Sequence, residues 1–269
     1  MSAIDQYFAQ LRQAGRKALL PFVTAGDPDL DFTAAVIRVL VARGCGPCEL
    51  GIPYSDPIAD GPVIQASYTR ALAKKIKLRQ ILDMAAQVTP TLAAPLVTMV
   101  SYAIIHRHGL DQYVIDAKKA GVSGAIVPDL LVDEADSLAD ICRRHDFSLI
   151  QLVTPTTPRE RALRIAATST GFLYYVSVTG ITGERTQLPP DLVENVDWIR
   201  QRTELPICIG FGISQVEHVR LLAPVADGLI VGSALMRRVA DAEQRPRADV
   251  IAEIGQYFAE LQTGLLAGS

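Results

Sequence analysis

Residues 18–28 read A-L-L-P-F-V-T-A-G-D-P. The first seven carry no charge and do not alternate apolar with polar, so they predict a strand buried on both faces, closed by a Gly-Asp-Pro turn. A helical pattern follows from Asp31 to Arg43, and strand then helix recurs from there to the end of the chain. Strands are predicted at 47–51, 95–101, 124–128, 148–153, 172–177, 206–210 and 228–232. Helices are predicted at 65–75, 78–88, 110–120, 132–145, 158–168, 190–203, 214–223 and 234–242, with a final one from Arg247 to Leu266. The strands are runs such as Ala125-Ile126-Val127 and Leu229-Ile230-Val231. Such runs suit a parallel sheet covered by helices.

Eight strands, each followed by helix, fit a closed α/β barrel, (β/α)8, better than an open doubly wound sheet. Closure leaves no edge strand, and no G-x-G-x-x-G follows the first strand. Ile4, Tyr7, Phe8 and Leu11 fall at helical spacing and add an N-terminal helix outside the repeat. No linker or shift of composition divides the chain, so residues 1–269 are expected to form one domain.

With 49% apolar residues a large core is available. A net charge of -3 with scattered Lys and Arg gives no basic stripe for nucleic acid. No apolar run approaches the ~20 residues that span a bilayer, and M-S-A-I-D-Q lacks the features of a signal peptide. A cytoplasmic enzyme is the expectation. Cys45 and Cys48 spell C-G-P-C, a spacing found in redox sites, but there the first Cys precedes a helix. Here Cys45 follows one, so the pair reads as a helix end at Gly44 and a small buried Cys entering a strand.

The barrel demands that catalytic groups lie at the C-terminal ends of strands or in the loops after them. C-E-L-G-I-P-Y-S-D-P-I-A-D-G-P at 48–62 meets that demand twice. Glu49 belongs to the second strand and Asp60 to its irregular loop. Taken singly, each has a bland explanation, an ion pair for the Glu and a turn for the Asp before Gly. Together on one strand-loop unit they are the leading catalytic candidates.

Glycine-rich segments lie after three further strands: S-V-T-G-I-T-G-E-R from 177, I-G-F-G-I-S from 209 and V-G-S-A from 231. The last two are expected to open helices, whose free N–H groups attract an anion. Gly183, Gly212, Gly232 and Ser233 are therefore the candidate phosphate cradle. The polar segment from Ser177 to Pro190 is long for such a loop and is a candidate lid.

Here the residues become recognisable. P-F-V-T-A-G-D-P at 21–28, E-L-G-I-P-Y-S-D-P-I-A-D-G-P-V-I-Q at 49–65, T-P-T-T-P at 154–158, Y-V-S-V-T-G-I-T-G at 175–183, G-F-G-I-S at 210–214 and G-S-A at 232–234 resemble the alpha subunit of tryptophan synthase. The resemblance implies retro-aldol cleavage of indole-3-glycerol phosphate to indole and glyceraldehyde 3-phosphate. It implies no metal or organic cofactor in this chain. The implied partner is a pyridoxal-phosphate-dependent beta subunit in an alpha-beta-beta-alpha heterotetramer, which receives the indole.

Residue by residue, the resemblance makes Glu49 the general acid-base at indole C3 and Asp60 the carboxylate that holds the indole N–H. Phe22 would line the indole pocket, and Tyr174 would lie near Glu49. Thr182 would contact the loop of Asp60 on closure, and Pro53 and Asp56 would lie toward the partner. Burial of Glu49 is expected to raise its pKa, whereas Asp60 is expected to stay ionised in a more polar loop.

Two positions depart from the pattern. Ala103 stands where the family commonly has Asn after the third strand, and Tyr68 where it often has Asn. His106 and His108 are assigned to a loop without clustered acids, which argues against a metal. A different phosphate-handling barrel enzyme would need Lys or Asp where Thr24 and Thr154 stand. A subunit that only activates its partner, or one that releases free indole by itself, are the other readings.

Overall fold

The computed structural model describes residues 1–57, 60–177, 190–210 and 212–266. Nine strands form one parallel sheet: β1 Ala18–Thr24, β2 Cys48–Gly51, β3 Leu96–Met99, β4 Val122–Ile126, β5 Ser148–Ile150, β6 Leu152–Val153, β7 Leu173–Val176, β8 Ile207–Gly210 and β9 Gly228–Val231. Every residue of β1, β2, β3 and β9 is buried, as the unbroken apolar runs predict.

The spatial order is β5-β4-β3-β2-β1-β9-β8-β7-β6. Its two ends, β5 and β6, are consecutive in the chain and are separated by Gln151 alone. The predicted fifth strand, 148–153, is therefore split: its first part pairs with β4 and its second with β7. The barrel closes through the chain itself. Gln151 is buried, its Nε2 lies 2.6 Å from the Thr168 hydroxyl, and its carbonyl accepts from the Tyr174 N–H at 3.1 Å.

The N-terminal helix Ala3–Gln13 starts with a capping box between Ser2 and Asp5. It docks across the N-terminal end of the barrel. The Ser2 and Ser148 hydroxyls are 2.7 Å apart, and Gly171 N–H donates to Asp5 Oδ1 at 3.0 Å. Ile4, fully buried, packs against Gly124 and Gly171, where any side chain would collide with it or with Ser148.

Helix Pro62–Ala73 starts earlier than the periodicity suggests, because Pro62 is well placed in a first turn. The predicted helix 132–145 is a 3-10 turn Val132–Glu134 followed by a helix Asp136–Arg144. A further helix, Tyr102–His108, carries the residues that the pattern assigns to a loop. Ser101 caps it by accepting from Ala103 N–H at 3.2 Å, and Asp129 accepts from Ser101 Oγ at 2.6 Å and Tyr102 N–H at 2.7 Å. Among the described residues, no helix is long and apolar enough to cross a membrane.

Candidate active site

Glu49 lies inside β2, facing the interior of the barrel. It pairs with Phe22 on one side and Val97 on the other, so three strands fix its position. The residue is fully buried, and neither carboxyl oxygen has a hydrogen-bond partner among the described residues. Burial alone drives its pKa well above the ordinary carboxylate value, so the group is a proton donor held in an apolar wall.

Gly51, two residues further along β2, opens space above that carboxyl. A Cβ there would stand 2.5 Å from the Phe22 ring and 3.0 Å from the Tyr68 hydroxyl. Across the barrel, Gly210 does the same for Tyr174, whose ring would lie 2.8 Å from an added Cβ. The aromatic rings occupy the room that two strand-end glycines leave. Burial pushes the Tyr174 phenol well above its ordinary range, and the charges of Glu49 and then Asp60 push it the same way. Tyr174, Glu49 and Asp60 therefore share one chamber, together with Phe22.

Asp60 follows an irregular segment and precedes helix Pro62–Ala73. Its N–H donates to Pro57 O at 3.1 Å, and Gln65 Nε2 donates to its carbonyl at 2.7 Å. Its carboxyl Oδ2 is buried without a partner among the described residues, and burial pushes its pKa up to about 6. The expected polar setting is thus corrected. Burial works against ionisation of Asp60 instead of leaving the carboxyl in solvent.

At the opposite side of the mouth, Gly232 precedes helix Ser233–Ala240, whose N-terminus has no side-chain cap. Leu235 and Met236 donate their N–H groups to Gly232 O, and Phe22 lies beneath at 3.6 Å from a Cβ built on Gly232. Gly212 has φ +66° and is exposed. It does not open a helix as expected, because the helix begins at Val216 after Gln215. The segment is held at Ser214, which donates its N–H to His218 Nδ1 at 3.3 Å and accepts from Tyr257 Oη at 2.9 Å. Gly183, Thr182 and the candidate lid from 178 lie outside the described residues.

Asp56 is exposed and accepts from Ser55 Oγ at 2.8 Å, whereas Pro53 is buried. Ala103 is exposed on its helix. Cys45 and Cys48 are buried free thiols, their pKa values driven up by burial, to about 12 for Cys45. His106 and His108 are helical, and His108 Nε2 lies 2.9 Å from Asp116 Oδ2, which corrects the expectation of no nearby acid. No group of three metal-ligating side chains occurs among the described residues.

Tyr68, Tyr54, Gly51 and Gly210 are site residues that reading for acids and phosphate loops does not select. The two glycines were detectable in principle, since glycine at the end of a buried strand marks close approach.

The arrangement can deliver a proton from a desolvated carboxyl to a ring packed on aromatic side chains, with a second carboxyl nearby to balance positive charge. Comparison with known proteins gives the family. The family model for the tryptophan synthase alpha chain matches residues 8–263. The tryptophan synthase alpha chain of Rhodopirellula baltica is 59% identical over 251 residues, covering 92% of this chain and 90% of the relative. That of Caldanaerobacter subterraneus subsp. tengcongensis is 40% identical over 262 residues, covering 97% and 99%. Among solved structures, tryptophan synthase subunit alpha from Legionella pneumophila str. Paris superposes with a TM-score of 0.90 at 33% identity, covering 99% of each chain. A chain of the tryptophan synthase complex from Pyrococcus furiosus gives 0.83 at 34% identity, covering 92% and 98%.

Proposed function

The chain belongs to the tryptophan synthase alpha chain family, and from that premise we propose how its own residues carry the reaction. The chain is the lyase subunit, cleaving indole-3-glycerol phosphate to indole and glyceraldehyde 3-phosphate. Glu49 gives its proton to C3 of the indole ring, which becomes an indolenine carrying positive charge at nitrogen. Asp60 accepts the indole N–H and balances that charge. The C3–C1′ bond then breaks, its electron pair returns to the ring, and the C1′ hydroxyl loses its proton to Glu49 as the aldehyde forms. One carboxyl thus gives and recovers a proton within a single turnover.

The observation that carries this reading is the state of Glu49, fully buried beside Phe22 and Tyr174 with both oxygens unpartnered among the described residues. A buried carboxyl without a partner weakens the fold, so its place at the catalytic end of a barrel points to chemistry. Phe22 forms the floor of the indole pocket, and Tyr174 sets the wall opposite. Gly212, Gly232 and Ser233 take the phosphate mainly through backbone N–H groups, supported by the uncapped helix at Ser233. Gly183 and Thr182 are assigned to the phosphate and to loop closure on the sequence alone.

No organic cofactor or metal belongs to this chemistry in the chain. Pyridoxal phosphate belongs to the beta subunit, with which the chain assembles as an alpha-beta-beta-alpha heterotetramer. Asp56, exposed on the loop after β2, is assigned to that contact, with Pro53 setting the loop behind it. Residues 1–269 act as one barrel domain, which the single continuous sheet of the described residues supports, and the family's biosynthetic role supports a cytoplasmic location.

The test is indole release from indole-3-glycerol phosphate by the purified chain, with and without a beta subunit, for wild type and Glu49→Gln. Loss of a positioned acid-base lowers the rate by roughly 10² to 10⁴. Wild-type rates retained in Glu49→Gln would remove Glu49 from the mechanism, and no indole under any condition would leave only an activator of the partner.

A further inference from the structure

Tyr68, on the helix that follows Asp60, places a buried hydroxyl beside Gly51 and the Phe22 ring. The side chain is 1% exposed, and its Oη has no hydrogen-bond partner among the described residues. Three other side-chain oxygens of the chamber share that condition, both of Glu49 and Oδ2 of Asp60. Buried polar atoms are normally paired, so a group of orphans around one space marks where pairing is completed by a ligand or on its arrival.

The hydroxyl is aimed with care. It lies over Gly51, 3.0 Å from where a Cβ would stand, at a point that the Phe22 ring also borders, and the Tyr68 ring centroid is 5.6 Å from that of Tyr54. Its helix is pinned to β1 and the turn after it. The Ser67 and Thr24 hydroxyls are 2.6 Å apart, and Arg70 Nε and Nη2 donate to the two Asp27 oxygens at 2.8 and 2.6 Å. Burial first, then the charges of Asp60, Tyr54 and Glu49, oppose loss of the Tyr68 proton. The phenol therefore remains a donor, and an ionised carboxylate is only an acceptor.

We infer that Tyr68 is a positioning residue of the reaction: in the substrate complex its hydroxyl donates a hydrogen bond to the Asp60 carboxylate and holds it ionised beside the indole nitrogen. The inference rests on the role of Asp60 given above. Substrate expels water from the chamber and deepens the burial of Asp60, which by itself favours the neutral acid. A donor from Tyr68 opposes that shift. Among the described residues, the titratable groups that feel the charge of Asp60 are Tyr54 from its own loop, Tyr174 from β7 and Tyr68 from the following helix. All three are phenols, so among them ionisation of Asp60 is favoured only by hydroxyl donors.

Tyr68→Phe keeps the ring and removes the donor. The experiment measures pH profiles of kcat and of kcat/KM for indole release by the full chain with a beta subunit, together with urea unfolding. The kcat profile reports groups in the substrate complex and kcat/KM those in the free enzyme. In Tyr68→Phe the acid limb of kcat moves up by about one pH unit, a loss of about tenfold below the limb, while the limb of kcat/KM moves less. The urea midpoint is unchanged or higher, because an unpaired buried hydroxyl has gone. Tyr68→Leu, which also lacks the hydroxyl, shows the same displacement of kcat and covers the case of a poorly folded Phe variant. An unmoved acid limb in either folded variant overturns the inference, as does a lowered midpoint with an unmoved limb, which marks a packing role only. Asp60→Asn separates the premise: wild-type activity there removes Asp60 itself, whereas an inactive Asp60→Asn with an unmoved limb in Tyr68→Phe removes Tyr68 alone.

Discussion

Glu49 faces Phe22 across the parallel ladder of β1 and β2, so the candidate site's most deeply buried acid and the aromatic proposed to line the indole pocket are held at the same height in the barrel. This placement has a thermodynamic consequence. Unfolded, the Glu49 carboxyl ionises near 4.5; folded, burial keeps its proton to a much higher pH. Between those values the folded state binds more protons than the unfolded state, so the contribution of Glu49 to stability falls as pH rises above about 4.5. Asp60, raised from 3.8 to about 6, adds a change of the same sign over that interval. Glu49→Gln is expected to match wild type in urea unfolding at pH 4 and to exceed it at pH 8. Equal differences at both pH values would contradict the buried, protonated carboxyl.

Gly51 supplies the second prediction. A methyl group there would meet the Phe22 ring at 2.5 Å and the Tyr68 hydroxyl at 3.0 Å, both attached to well-packed elements. Gly51→Ala therefore displaces the aromatic floor of the chamber and costs about 1–3 kcal/mol of stability as overpacking. Indole release falls at least tenfold, with KM raised, because the ring that seats the indole has moved. Gly210→Ala presses on Tyr174 from the other side and shows the same pattern. Unchanged KM in both would mean that neither ring touches substrate.

Much of this was legible in the sequence, for reasons that can be named. Runs such as Leu229-Ile230-Val231 fix a buried parallel strand, and their repetition with helices fixes the barrel. The acids Glu49 and Asp60 stood out because charge is rare at a strand end of this kind. The burial of Asp60 did not, because a loop residue's environment depends on partners such as Pro57 and Gln65, which hold its backbone. Splitting of the fifth strand at Gln151 is likewise a matter of barrel closure and leaves no local signal. Helix Tyr102–His108 was hidden because its cap depends on Asp129, which is distant in sequence. The direction of the Tyr68 hydroxyl did not stand out either, because it follows from the ties of its helix to Thr24 and Asp27.

Those ties give a third prediction. The Asp27 side chain is 1% exposed and Arg70 is 22% exposed, and they form a two-bond ion pair. Burial raises the Asp27 pKa, and the hydrogen bond from Arg70 opposes the rise. Arg70→Met leaves the carboxyl buried and unpaired, at a cost of about 3–5 kcal/mol. Replacing both, Asp27→Asn with Arg70→Met, recovers much of that loss. The single variant also raises KM, because the helix bearing Ser67 and Tyr68 has lost an anchor to β1. Denaturant unfolding of the three variants checks the first point, and steady-state kinetics the second. A double variant no more stable than Arg70→Met would mean that the loss arises from packing instead of stranded charge.

The last prediction concerns Ser214, whose peptide groups are gripped from two sides by His218 and Tyr257. Tyr257 is itself fixed under the Arg238 guanidinium, 3.4 Å from its ring centre. The grip sets the path of the backbone that leaves Gly212 with φ +66° at the mouth, where the phosphate is proposed to bind. Tyr257→Phe removes one hydrogen bond and keeps the stacked ring, so it loosens the segment by about 1 kcal/mol. KM for indole-3-glycerol phosphate rises about fivefold, the equivalent of that loss, with little change in kcat, because the bond serves substrate binding and not proton transfer. His218 must be neutral at Nδ1 to accept from Ser214, and burial lowers its pKa from 6.5. Protonation at acid pH removes that acceptor, so KM climbs as pH falls below the lowered pKa, and it climbs more in Tyr257→Phe, where the second restraint is already gone. A fall in kcat at constant KM would instead place this segment's role in the chemical step and away from the phosphate.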